Sequence, residues 1–183
     1  MRKRVIICFD LVYLVLTMAV CVDSLVAQGR SPFNPAPVGK PLLAKVEIGE
    51  GYSSFVESHD VKITVLKIVR GEKAWELMKE ESVSNEPPKF GFEYLLARIR
   101  FEYSSKEASG DKSYQLREDQ FAATSTDGKE YENPSVEQPK PRLNSRVYPG
   151  DSLEGWVAFL VAKEDPKPLM TFGRYGTIWF QLY

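Results

Sequence analysis

Leu153-Glu154-Gly155-Trp156-Val157-Ala158-Phe159-Leu160-Val161-Ala162 is the stretch on which the fold turns. Successive side chains of an extended chain point to opposite faces. Here both alternate sets are apolar or small, with Trp156, Ala158 and Leu160 on one side and Val157, Phe159 and Val161 on the other. A strand of that kind is covered on both faces. The spacing predicts a single helix that can supply one of the covers, Glu72 to Glu81. It gathers Ala74, Trp75, Leu77 and Met78 near one face and Glu72, Lys73, Glu76, Lys79 and Glu80 largely opposite, after Gly71 and ahead of Pro87-Pro88.

Strand signals recur on either side. Leu42 to Ile48 alternates, Val61 to Val69 is β-branched, and Phe92 to Tyr103 is a long apolar-aromatic run with Arg98, Arg100 and Glu102 on one side of its later half. Gln120 to Ser125, Asp127-Gly128 and Lys129 to Glu132 read as a hairpin whose Asp-Gly adopts a tight primed turn. Leu169 to Phe172 and Thr177 to Tyr183 close the chain. Seven or eight short strands with one helix and no βαβ rhythm indicate an all-β fold, an immunoglobulin-like antiparallel β-sandwich with one short helix. Trp156, in the strand apolar on both sides, is expected at the centre of the core, and Trp75 and Trp179 are expected to pack there too.

Residues 1–27 carry a different message. Arg2, Lys3 and Arg4 precede an apolar run from Val5 to Val22 broken only by Asp10, and Ala27 closes the segment. That is the layout of an export signal. Cleavage after Ala27 is the first expectation; lipidation at Cys21 or an uncleaved membrane anchor are the alternatives, and Val20 departs from the small residue that usually precedes a lipidated cysteine. The expected layout is thus a signal peptide at 1–27, an extended Pro/Gly-rich arm at 28–41 serving as a tether or leading edge segment, and a sandwich domain at 42–183. Of the 183 residues, cleavage leaves 156 with 21 basic and 23 acidic side chains. Such a balance does not steer toward nucleic acid. Both cysteines, Cys8 and Cys21, lie in the signal, so a cleaved product has neither disulfide nor cysteine metal site. Asn133 is followed by Pro134, which excludes it as a glycosylation acceptor and favours a bacterial or archaeal exterior.

Chemistry is sparse in the sequence. His59 is the one histidine, within Glu57-Ser58-His59-Asp60. Consecutive residues on an extended chain diverge, so Ser58 and His59 do not form a catalytic pair, and the stretch reads as a polar turn leading into a strand. Asp111, Glu118, Asp119, Asp127 and Glu130 offer hard-cation oxygens without the Asp-x-Asp-x-Asp-Gly spacing of a calcium loop. No nucleophile elbow, phosphate loop or dinucleotide fingerprint occurs. No catalytic, cofactor or metal residue is assigned. Tyr52 and Phe55, in the loop Gly49 to Phe55, are the candidates for ligand contact.

Four stretches together carry a family resemblance: Asn34 to Gly39, Glu93 to Ile99, Tyr148 to Phe159, and Ile178-Trp179-Phe180. Over residues 31–183 the chain resembles the domain-of-unknown-function family with a telokin-like, immunoglobulin-like fold, related to secreted immunoprotective antigens and found in many bacterial and archaeal lipoproteins. The resemblance implies a sandwich outside the cytoplasm and brings no catalytic residues with it. The functional expectation is an exported or cell-surface module that binds an envelope protein or glycan, with no enzyme activity, cofactor or nucleic-acid partner. Membrane contact is expected only through an uncleaved or lipidated N-terminal segment. A structural or stress-protective envelope protein without a specific ligand is the alternative, and a hydrolase, which would need a deep cleft with perturbed carboxylates, comes last.

Overall fold

The computed structural model describes residues 28–49, 56–104, 112–173 and 178–183. Within them the chain forms nine strands and one α-helix: β1 (Leu42–Gly49), β2 (Val56–Arg70), α1 (Glu72–Glu81), β3 (Phe92–Tyr103), β4 (Tyr114–Leu116), β5 (Phe121–Thr124), β6 (Ser145–Val147), β7 (Ser152–Ala162), β8 (Leu169–Phe172) and β9 (Ile178–Gln181). A four-stranded sheet in the order β1-β2-β3-β7 faces a three-stranded sheet in the order β5-β8-β9, with β4 and β6 paired beside them, and every ladder is antiparallel. This is the antiparallel sandwich with one short helix that the alternation of the sequence indicates.

The main core lies between the layers. Val61, Ile63 and Val65 of β2, Leu95, Ala97, Ile99 and Phe101 of β3, and Val157, Phe159 and Val161 of β7 meet Phe121, Ala123, Met170, Phe172, Ile178 and Phe180. The opposite face of the four-stranded sheet carries a second, smaller core, in which Ala74 and Met78 of α1 cover Tyr94, Leu96, Trp156 and Ala158, with Val136 at the margin. Trp156 is therefore buried, but beneath the helix and not at the centre of the sandwich. Trp75, stacked on Tyr94 at 5.8 Å, and Trp179 are only half-buried.

A β-bulge lets β2 serve both cores. Its register with β3 slips between Val65 and Lys67, so that Val65 faces Ile99 and Ile68 faces Ala97 in the ladder. One extra residue reverses the alternation. Ile68 consequently packs on the main core and Val69 on the helix core.

The helix begins at Gly71, whose φ of 71° suits a glycine, and has Glu72 in its first turn and Lys79 in its last. Its C-terminal end is held by Asn85, whose side-chain amide donates to the Met78 carbonyl at 2.6 Å and to the Glu137 carbonyl at 2.8 Å. Those bonds also draw residues 137–143 over the edge of β7, where Trp156 N–H donates to the Pro141 carbonyl at 2.9 Å. At the crossing, a methyl on Gly155 would stand 2.7 Å from the Arg142 carbonyl carbon and the Leu143 nitrogen. Only glycine permits so close an approach.

Several expectations need correction. Glu57 to Asp60 is not a turn: β2 starts at Val56 and these residues pair with β1. The Asp127-Gly128 turn has positive φ at Gly128 alone, since among the described residues no non-glycine residue has one, and Ser125 closes it by bonding to Lys129. It is therefore a three-residue loop with Gly last rather than a primed two-residue turn. The second arm, Lys129 to Glu132, contributes one bridge, Thr124 to Glu130, in place of a strand. β4 and β6 were not anticipated. Residues 28–41 fold back on the domain: Ala36 is fully buried and bridges Phe180, and Gly39 N–H donates to the Val65 carbonyl.

Candidate functional site

The helix core does not run the full length of the sheet. β3 and β7 present the rows Leu96/Ala158, Tyr94/Leu160 and Phe92/Ala162 on their outer face. α1 covers the first row and Tyr94 of the second, while half-buried Leu160 and the last row border a hollow of about 440 Å³. Phe92, Leu160 and Ala162 form its floor and the hairpin from Ser125 to Glu132 its wall, with Lys89 at the rim. The Lys89 ammonium stands 4.4 Å from the centre of the Phe92 ring. Phe90, two residues from Phe92, is wholly exposed.

The wall is fixed by a buried carboxylate. Asp165, in the turn after β7, accepts from the Thr126 N–H at 3.1 Å, the Tyr131 hydroxyl at 2.8 Å, the Lys167 N–H at 3.1 Å and the Thr126 hydroxyl. Burial works against its charge, but these bonds outweigh it and hold Asp165 below the usual carboxylate range. Burial and the hydrogen bond to Asp165 push the Tyr131 hydroxyl up to about 12. Arg70 braces the same turn by donating to the Asp165 carbonyl at 2.7 Å. The wall is thus preorganised, and its rim presents charges of both signs: Lys89, Asp127, Lys129, Glu130 and Glu132.

A second polar group closes one end of the main core. His59 is buried, edge-on to Tyr103 at 5.6 Å, with Nε2 3.5 Å from the Glu57 carboxylate. Lys112, just before β4, binds Glu57 and, by that hydrogen bond first, holds its carboxyl below the ordinary range. Burial pushes the Tyr103 hydroxyl up. Ser58 points to the other side of the strand and is exposed, so the structure does not bring Ser58 and His59 together.

Tyr52 and Phe55, the ligand contacts expected from the sequence, lie outside the described residues, as do Asp111 and the segment 1–27. Asp119 pairs with Arg117 and Asp127 with Lys129, and among the described residues no three His, Cys, Asp or Glu side chains gather as metal ligands. Among the described residues, the carboxyls of Glu57, Glu81, Asp127, Glu154 and Asp165 are held below the ordinary carboxylate range. Among the described residues no helix is long and apolar enough to cross a membrane. The residues of the hollow were each legible as strand or hairpin. Their exposure was not, because it depends on where the helix stops covering the sheet.

No family model matches the chain, and no curated protein matches it. Among solved structures, the chain is similar to MPT63, a secreted protein from Mycobacterium tuberculosis, at 14% identity and a TM-score of 0.45, over 80% of this chain and 97% of that one.

Proposed function

We propose that this chain is an exported β-sandwich that acts by binding and not by catalysis, taking a glycan of the cell envelope in the hollow between Phe92 and the 125–132 hairpin. The observation that carries the reading is the uncovered end of the outer sheet face, where the apolar row under α1 continues as Phe92, Leu160 and Ala162 inside a charged rim. An apolar and aromatic floor with a few placed polar groups is the usual make-up of a small-ligand site. A sugar ring has an apolar face for Phe92 and hydroxyls for the lysines and carboxylates around it. Export is supported by the Arg2-Lys3-Arg4 lead and the apolar run behind it. Binding in preference to hydrolysis is supported by the sequence, which carries no nucleophile elbow, phosphate loop or dinucleotide fingerprint.

A glycan array probed with the mature chain and with Phe92→Ala tests the reading. Selective binding by the wild type that is lost in the variant, with the melting temperature of the variant recorded alongside, is the expected result. Silence across the array would overturn the glycan reading. If envelope-extract pull-down were silent as well, the structural or stress-protective role would replace it.

A further inference from the structure

Both lateral edges of the β5-β8-β9 sheet and the β7 edge of the four-stranded sheet are covered by other parts of the chain, and the β1 edge, among the described residues, has no such backbone partner. β7 is covered by Pro141 and by Gln138, whose side-chain oxygen accepts from Ala158 N–H at 3.1 Å. β9 is covered by Ala36, and β5 by Glu130 and Tyr131. β1 pairs with β2 without a break from Leu42 opposite Ile63 to Gly49 opposite Val56, and among the described residues no backbone group bonds to its other side. Natural edge strands are blunted by proline, bulges or inward-pointing charges. β1 has no proline, bulge or inward-pointing charge, and its edge lysine, Lys45, is matched by Glu47 two residues on. Its inward row is Leu42, Ala44, Val46 and Ile48, and its two charges, Lys45 and Glu47, stand on the outward row.

We infer that β1 pairs with β1 of a second copy of this chain, antiparallel, about a two-fold axis through Val46. The partner is fixed by self-complementarity. With Val46 opposite Val46, each Lys45 lies across from the other copy's Glu47, Ala44 lies across from Ile48, and position 43 lies across from position 49. Opposite charges directly across an antiparallel pair attract, and like charges repel. Centring the axis on Lys45 would oppose lysine to lysine, and centring it on Glu47 would oppose glutamate to glutamate. A shift by one residue would set inward side chains against outward ones. One full-length register remains, and it joins the two four-stranded sheets into a single sheet across an isologous interface. Lys45 is free to turn toward the new partner, because its present contact with Asp60, at 3.4 Å, is between two exposed side chains.

Sedimentation velocity on the mature chain across micromolar to near-millimolar concentrations tests the pairing. The wild type is expected to dimerise. Lys45→Glu alone and Glu47→Lys alone, both at exposed positions that leave the fold unloaded, should each raise the dimer dissociation constant about tenfold, because two attractive pairs become repulsive. Combining Lys45→Glu with Glu47→Lys restores opposite charges across the axis and should return the constant to the wild-type range. A wild type that stays monomeric at every concentration overturns the inference. So does a dimer indifferent to the single changes, or a double variant that fails to recover.

Discussion

Gly155→Ala is the sharpest test of how residues 137–143 are seated. The new methyl would meet the Arg142 carbonyl carbon and the Leu143 nitrogen at 2.7 Å, where ordinary contact starts at 3.4 Å, so the crossing segment must retreat. It is poorly placed to do so, since Leu143 is fully buried and Pro141 accepts from Trp156 N–H at 2.9 Å. Burying one methyl is worth about 0.8 kcal/mol and the loss of glycine freedom in the unfolded chain about 0.4–1 kcal/mol. Against these stand an overpacking cost of about 1–3 kcal/mol and, if the Trp156 bond breaks, about 1–3 kcal/mol for a stranded N–H. The net expectation is a loss of about 2 kcal/mol, which for a domain of this size lowers the melting temperature by about 4–8 °C. Thermal melts followed by circular dichroism, with urea unfolding in parallel, would measure it. A variant melting within about 1 °C of the wild type, or above it, would refute the claim that this segment presses on β7.

Trp156→Ala should cost about 3–5 kcal/mol in urea unfolding, since the ring is 8% exposed beneath α1 and its removal leaves a cavity; near-wild-type stability would withdraw the second core. Asp165 is held below its unfolded value near 3.9, so its contribution is complete above that pH and fades as pH falls through the lower folded value. Asp165→Asn should therefore be less stable than wild type at pH 7, with the gap narrowing by pH 3; a gap independent of pH would contradict the assignment. N-terminal sequencing of exported protein should read from Gln28, and reductant should leave its melting temperature unchanged, because Cys8 and Cys21 are gone; an intact Met1 or a lipidated Cys21 would overturn both expectations.

Long periodic elements were legible because many residues repeat the same signal. Phe92–Tyr103, Glu72–Glu81 and Leu169–Phe172 stand at the boundaries their alternation or helical spacing indicates. Tyr114–Leu116 and Ser145–Val147 are three residues each, too short to show a period. Glu57 to Asp60 misled for a physical reason. At the open end of a sandwich the inward row can turn polar, so His59 and Glu57 continue the strand while looking like a turn. The helix cover over Trp156 followed from apolarity on both faces of one strand. The hollow did not, because Phe92 and Tyr94 read alike in sequence and differ only in whether α1 reaches over them.

The central β3–β7 ladder also governs how the chain folds in time. Its partners run from Glu102 with Ser152 to Phe92 with Ala162, about 50 to 70 positions apart, and the intervening chain builds strands of the facing layer. Closing loops of that length precedes the reward for closing them, which places such topologies among the slow, millisecond-to-second folders. Until β7 arrives, β1, β2 and β3 can form only a meander whose inner face and β3 edge are open to other chains. Refolding yield should then fall as protein concentration rises, even where the finished domain is soluble and stable.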